Sequence, residues 1–235
     1  MEDLILDNPM MKILYEDQHI IVILKPKGMP SQPDLSGDKN IYEEVLEHVR
    51  HENNKMNVGL IQRLDRPVGG IMALTKSTVA HKAFTEKSCL SKKYLAVVEG
   101  EAQKEARLLD YIQKVRGNRA LVTSKQVSQA KRAVLTYRCL KKVIIDGQPY
   151  SLLEIELETG RHHQIRAQMA HHKLPLVGDT KYNAYEKGIW VDIGLQAYKL
   201  EINHPIKGGR LSFENICKDH PFDIFYESEE DYDTL

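Results

Sequence analysis

The chain is short of the residues that mark several protein classes. Its 235 residues include three cysteines, Cys89, Cys139 and Cys217, far apart and with no C-x-x-C pair. That excludes a disulfide framework and a zinc ribbon, and it fits a reducing compartment, expected to be the cytoplasm. No apolar run approaches the roughly 20 residues a membrane-spanning helix needs, so no membrane partner is expected. The opening residues, MEDLILDNPMMK, carry acids and lack a basic n-region, so they do not read as a signal peptide. Net charge is lacking too. The 33 Lys and Arg balance 33 Asp and Glu, which by itself points to no polyanionic partner.

What is present fits an ordinary globule: 42% hydrophobic and 28% charged residues, in a chain long enough for one large domain or two lobes sharing a core. The charge is unevenly spread. Residues 103–142 hold eleven Lys and Arg against Glu105 and Asp110, whereas residues 214–235 hold eight acids against Lys218 alone. A positive middle and a negative end suit a polyanion-binding face on a chain kept soluble by its other end; two unrelated solvated surfaces would look the same.

Strand patterns are read at residues 12–15, 19–24, 92–99, 119–123, 133–143, 152–158, 195–202 and 210–213. Asn40 followed by Glu43 resembles a capping box before a helix burying Ile41, Val45, Leu46 and Val49. Ser77 can cap a second helix carrying Val79, Ala80, Ala83 and Phe84. Strands outnumber helices and short loops join many of them, so the expectation is an α+β fold on a mixed, mainly antiparallel central sheet.

Two stretches carry the chemistry. Residues 60–76, LIQRLDRPVGGIMALTK, read as strand, turn, strand, with Pro67 and Gly69-Gly70 as breakers. Arg63 and Asp65, two apart, would share a strand face beside the turn. Residues 158–183, ETGRHHQIRAQMAHHKLPLVGDTKYN, read as a short helix capped by Thr159, with Ile165 and Met169 on one face and Arg161 and Arg166 near its start and middle. On spacing alone, Asp65 with Arg63 is a weak surface pair, Tyr94 a core tyrosine, and Arg161 and Arg166 helix-surface charges.

With both stretches in view the chain resembles the RluA-type pseudouridine synthases of RNA, over about residues 13–213. Lys25-Pro26 with Gly28 looks like the family's first block, and Arg63-Leu64-Asp65 with Gly70-Ile71 like its central R-L-D motif. Lys93-Tyr94 with Ala96 and Gly100 looks like the K-x-Y-x-A block. Thr159-Gly160-Arg161, His163-Gln164-Ile165-Arg166 and Pro175 with Gly178-Asp179 look like the T-G-R-x-H-Q-I-R and P-x-x-G-D segments. Leu195, Ala197, Leu200 and His204-Pro205 fit its closing strand. Four blocks in register are far more specific than one. Four positions depart: Gln62 stands for the family's usual His, Val68-Gly69 for Thr-Ser, and His162 for Thr or Lys.

The resemblance implies a pseudouridine synthase fold in two lobes flanking a cleft, in the form without an amino-terminal S4 module. It divides the chain into an extension at 1–12, one catalytic domain at 13–226 and an acidic tail at 227–235. It implies isomerisation of uridine to pseudouridine in rRNA or tRNA. The N1–C1′ bond breaks, the uracil turns, and C5 bonds to C1′. Asp65 would act as the carboxylate; trapping the sugar, attack on C6 and removal of the 2′ proton all stay open. Arg166 would keep Asp65 ionised and Tyr94 would stack on the uracil. Arg63 would fill the space left by a flipped base. RNA contacts would come from Arg63, Lys92, Lys93, Lys131, Arg132, Arg161 and Arg210. The protein would act as a monomer. Lys25 and Lys27 read as loop charges. The reaction exchanges no group or electron with an outside reagent, so no cofactor is expected. Two other readings remain: an RNA-binding relative without catalysis, suggested by Gln62 and Val68-Gly69, and a hydrolase with metal on His162-His163 or His171-His172. The second lacks both the H-E-x-x-H spacing and a neighbouring acid in the sequence.

Overall fold

Ile20, Ile21, Val22 and Ile23 run without a polar interruption and are all fully buried, as a strand covered on both faces requires. In the computed structural model of the protein, which describes residues 11–52, 57–86, 89–183 and 192–226, they are the first four residues of β2. Along the chain come β1 (Lys12–Glu16), β2 (Ile20–Lys25), α1 (Ile41–Glu52), β3 (Gly59–Leu60), β4 (Gly69–Thr75), α2 (Thr78–Glu86) and β5 (Leu90–Glu99). There follow β6 (Glu105–Val115), β7 (Arg119–Thr123), β8 (Lys131–Ile145), β9 (Gln148–Leu157), α3 (Gln164–His171), β10 (Leu195–Asn203) and β11 (Arg210–Glu214). This is an α+β protein, as the element pattern leads one to expect. The extension before residue 11 and the tail at 227–235 lie outside the described residues.

The chain divides into two compact units, Met1–Ser91 with Lys199–Asn215, and Lys92–Tyr198 with Ile216–Leu235. In the first, β1 pairs β2, β2 pairs β4, and β3 pairs β4, all antiparallel. Ile20, Val22, Ile71, Ala73, Leu200 and Ile202 form its core cluster. The α1 cap is the expected one: Asn40 Oδ1 accepts from the Glu43 amide at 3.1 Å, and Asn40 Nδ2 donates to Glu43 Oε2 at 2.6 Å. Ile41, Val45 and Val49 are fully buried. Ser77 Oγ accepts from the Ala80 amide at 3.2 Å and so caps α2.

In the second unit β5 pairs β9, β9 pairs β8, β8 pairs β6 and β6 pairs β7, again all antiparallel. Leu95, Val97, Leu152, Val177, Tyr198, Phe222 and Phe225 form one core cluster. In another, α3 lays Ala167 against Ile112, Ala120 and Ala133, and the three alanines let the helix approach the strands closely.

Two local expectations change. Residues 61–68 are a loop between β3 and β4, so Arg63 and Asp65 are not on a strand, and Gly69-Gly70 open β4 where they were expected to break it. Thr159 does not cap α3. Its hydroxyl accepts from the Val134 amide and donates to Gln164 Oε1, both at 2.8 Å. The N-cap is His163, in left-handed backbone at φ 49°.

Candidate active site

In the first unit the candidate is the turn that carries Asp65. The Val68 amide donates to the Asp65 carbonyl at 3.0 Å and closes the turn over Arg66-Pro67. Leu64 points inward, buried, and its backbone is gripped from both sides by one hydroxyl. Ser31 Oγ donates to the Leu64 carbonyl at 2.7 Å and accepts from the Leu64 amide at 3.0 Å. Arg63 and Asp65, flanking Leu64, are exposed and half-buried. Arg63 Nη1 reaches Gln32 Oε1 at 3.3 Å.

Beneath the turn lies Lys25, which is not the loop charge its Lys-Pro-Lys-Gly setting suggests. It ends β2, only 1% exposed, and its ammonium donates to the carbonyls of Met29 at 2.6 Å, Pro26 at 2.8 Å and Arg66 at 3.3 Å. Burial pushes its pKa down to about 7, with the Asp65 carboxylate opposing that fall and Arg66 adding to it. The Gly28 amide donates to the Arg66 carbonyl at 2.9 Å, and Arg66 Nε donates to the Gly28 carbonyl at 3.0 Å. Gly28 has φ +81°, which suits glycine. Gly69 is tight for another reason: a Cβ there would lie 3.0 Å from Lys27 Cγ and 3.4 Å from the Lys25 carbonyl oxygen. The Gly69 departure therefore fits the close packing of the Lys25 segment on the start of β4.

In the second unit the candidate is Arg166, 4% exposed in the first turn of α3. Its Nε and Nη2 fork onto the two carboxylate oxygens of Asp179, both at 2.8 Å. Asp179 Oδ1 also accepts from the amides of Lys181 and Tyr182 at 3.0 and 3.3 Å. Arg166 lies over the Tyr182 ring at 5.4 Å and Arg119 over the same ring at 5.6 Å. The Tyr182 oxygen accepts from the Ala120 amide at 2.7 Å and bonds His163 Nδ1 at 2.8 Å. Planar bidentate pairing and stacking are arginine properties that lysine lacks. Tyr182 is the side chain sequence reading passed over; its only signal was an aromatic three residues after Gly178-Asp179.

Tyr94 sits on β5, 7% exposed, in register with Ile155 of β9. Strand alternation puts half-buried Lys92 on the Tyr94 face and Lys93 on the opposite one. Burial lowers the pKa of Lys92. Lys93 ion-pairs with Glu154 at 3.3 Å and Glu156 at 2.9 Å.

The basic middle is less positive than its sequence window suggests, because acids from outside it, on β9, just after β9 and just after β5, pair with its cations. Arg107 forks on Glu158 at 2.7 and 2.9 Å, Arg138 meets Glu154 at 3.2 Å, and Lys142 meets Glu101 at 3.0 Å. Lys131 and Arg132 are exposed at the start of β8, and Arg161 joins them by donating from Nε to the Arg132 carbonyl at 2.9 Å. Arg210 is exposed and paired with Glu201, in the first unit. Thus Arg161, Lys131 and Arg132 come together, while Lys93 and Arg210 are each held by acids.

The blocks that carry the resemblance therefore fall on the built parts of both units, and comparison with known proteins gives the class, RNA-modifying isomerases. The family described as RNA pseudouridylate synthase matches residues 19–171, and the chain belongs to that family. The ribosomal large subunit pseudouridine synthase D of Pseudomonas aeruginosa is 31% identical over 224 residues, 87% of this chain and 68% of that protein. The tRNA pseudouridine synthase C of Vibrio cholerae is 34% identical over 184 residues, 74% of each chain. Among solved structures, human RNA pseudouridylate synthase domain containing 4 superposes with a TM-score of 0.69 at 20% identity, covering 91% of this chain and 90% of that one, a likeness of fold.

Proposed function

We propose that the chain isomerises a specific uridine of a structured rRNA or tRNA to pseudouridine, acting as a monomer with Asp65 as the reacting carboxylate. The observation that carries the reading is the held turn. Asp65 stands on a loop whose backbone on either side is held by Ser31, at Leu64, and by buried Lys25, at Arg66, a fixed platform of the kind that catalytic gains from orientation need. Family membership supports the same residue, because Asp65 is where the R-L-D block falls. Arg166 is the cation that the family register assigns to the reaction, Tyr94 stacks on the uracil, and Arg63 fills the space a flipped base leaves. The exposed group of Lys131, Arg132 and Arg161 engages phosphates, with smaller shares from Lys92, Lys93 and Arg210. The relatives' names cover ribosomal and transfer RNA, and both are substrate candidates. The chemistry calls for no cofactor.

The test is to map pseudouridines at nucleotide resolution in RNA from cells with and without the gene. The expected result is loss of one or a few sites, restored by the wild-type chain and not by Asp65→Asn. An unchanged map, from cells that express the protein, would leave the reading without a substrate.

A further inference from the structure

The two pairs of adjacent histidines differ in what the fold brings to them. His162 and His163 stack on each other at 3.8 Å, and His163 is committed to Tyr182. His171 and His172, at the C-terminal end of α3, meet an acid that lies 61 residues away from His171 in sequence: Asp110, buried at 3% exposure on β6. His172 Nε2 is 2.9 Å from Asp110 Oδ2, and the His171 ring stands edge-on to that of His172 at 5.2 Å. One ligand atom from each of the three residues lies within 4.8 Å of the others.

Asp110 is an unusual residue for its place. It occupies an inward position of β6, between Leu108 and Ile112 by alternation. An inward carboxylate costs stability unless it is paired. One turn up the helix, fully buried Gln168 donates from Nε2 to Asp110 Oδ2 at 2.8 Å, while its amide oxygen has no hydrogen-bond partner. Gln168 and His172 thus converge on one inward carboxylate with a second imidazole next to them, more polar capacity than a single His–Asp pair uses.

We infer that Asp110, His171 and His172 form a binding site for a first-row divalent transition metal, with zinc as the ion that fits best. Two imidazoles and a carboxylate are a usual zinc donor set, and water from the exposed side would complete a tetrahedron. Metal–ligand distances of about 2.0–2.2 Å put neighbouring donor atoms about 3.3 Å apart. The Asp110–His172 edge is already close to that, and the exposed His171 ring closes the remainder by side-chain rotation. Gln168 would act from behind, its amide orienting the carboxylate. The site is a staple between β6 and the end of α3, the helix that carries Arg166; the isomerisation does not pass through it.

The test uses the full chain stripped of metal with a chelator and titrated calorimetrically with zinc chloride near pH 7.5. The expected result is one site of micromolar affinity. His171→Ala should weaken it at least tenfold while leaving the Asp110–His172 contact and the fold intact, because His171 is exposed. His162→Ala should leave the affinity unchanged. Zinc should raise the Tm of wild type and not that of His171→Ala, since a ligand that binds only the native state stabilises it. Affinity for zinc should fall as the solution is made acidic, because protons compete with the metal for its ligands. Zinc affinity equal in wild type and His171→Ala, no binding below millimolar concentration, or loss only in His162→Ala would each overturn the assignment. None of these readings depends on pseudouridine formation.

Discussion

Lys25 sets the behaviour of the Asp65 turn at the scale of single residues. Its ammonium is buried, tied to three carbonyls, and its pKa falls to about 7 from 10.5. In the unfolded chain the lysine keeps its proton up to about pH 10.5; in the folded chain it releases it near pH 7. The unfolded state thus binds more protons across that window, and the contribution of Lys25 to stability rises with pH there. Chemical denaturation of wild type and Lys25→Met should show the difference in unfolding free energy shifting in favour of wild type from about pH 7 towards about pH 10, with a slope of up to about 1.4 kcal/mol per pH unit. A pH-independent difference would mean that Lys25 titrates normally. Arg166→Lys belongs to the same scale. It keeps the charge and loses the fork on Asp179, so turnover should drop sharply while RNA affinity changes little, a split that a kinetic and a binding assay together would read.

At the scale of elements, α3 and the segment after it are joined by the Arg166–Asp179 pair, 4% and 0% exposed at the side chains. Removing one partner of a buried pair leaves an uncompensated charge and costs about 3–5 kcal/mol, whereas an exposed pair is worth about 1 kcal/mol or less. Asp179→Ala should therefore destabilise the protein far more than Glu158→Ala, which breaks only the exposed pair with Arg107; equal losses in urea unfolding would contradict the geometry. The elements were unevenly legible. β11 shows plain alternation, and the Asn40–Glu43 and Ser77 caps are local chemistry, so a linear reading finds them. β6 hides because its pattern is inverted at the centre: Asp110 faces inward and Leu109 is 45% exposed. The inward acid has its reason in Gln168 and His172, which a linear reading cannot bring to it. The same holds for Lys25, whose Pro and Gly neighbours signal a loop while its three carbonyl partners come from Pro26, Met29 and Arg66. Asp65, Tyr94 and Arg166 could be singled out because they sit in family blocks, and Tyr182 could not, because only the fold stacks it on Arg166.

At the scale of the whole molecule, a chain of zero net charge must bind a polyanion through a local surface. Affinity should fall with salt, its logarithm by about 0.7 per phosphate for each unit in the logarithm of salt on single strands. Lys131→Glu combined with Arg132→Glu should weaken binding and flatten that slope; if both affinity and slope hold, the exposed cations at the start of β8 are a solvated face. Deleting residues 227–235, acidic and outside every family block, should leave turnover intact, as a multiple-turnover assay would show. The central claim is that Asp65 performs the isomerisation, and one substitution tests it most directly. Asp65→Asn keeps the size of the side chain and removes its charge. Assayed on the mapped RNA substrate, it should fold, bind RNA as wild type does, and form no pseudouridine. Turnover within about tenfold of wild type, only ~1.4 kcal/mol of barrier, would show that Asp65 is not the reacting carboxylate.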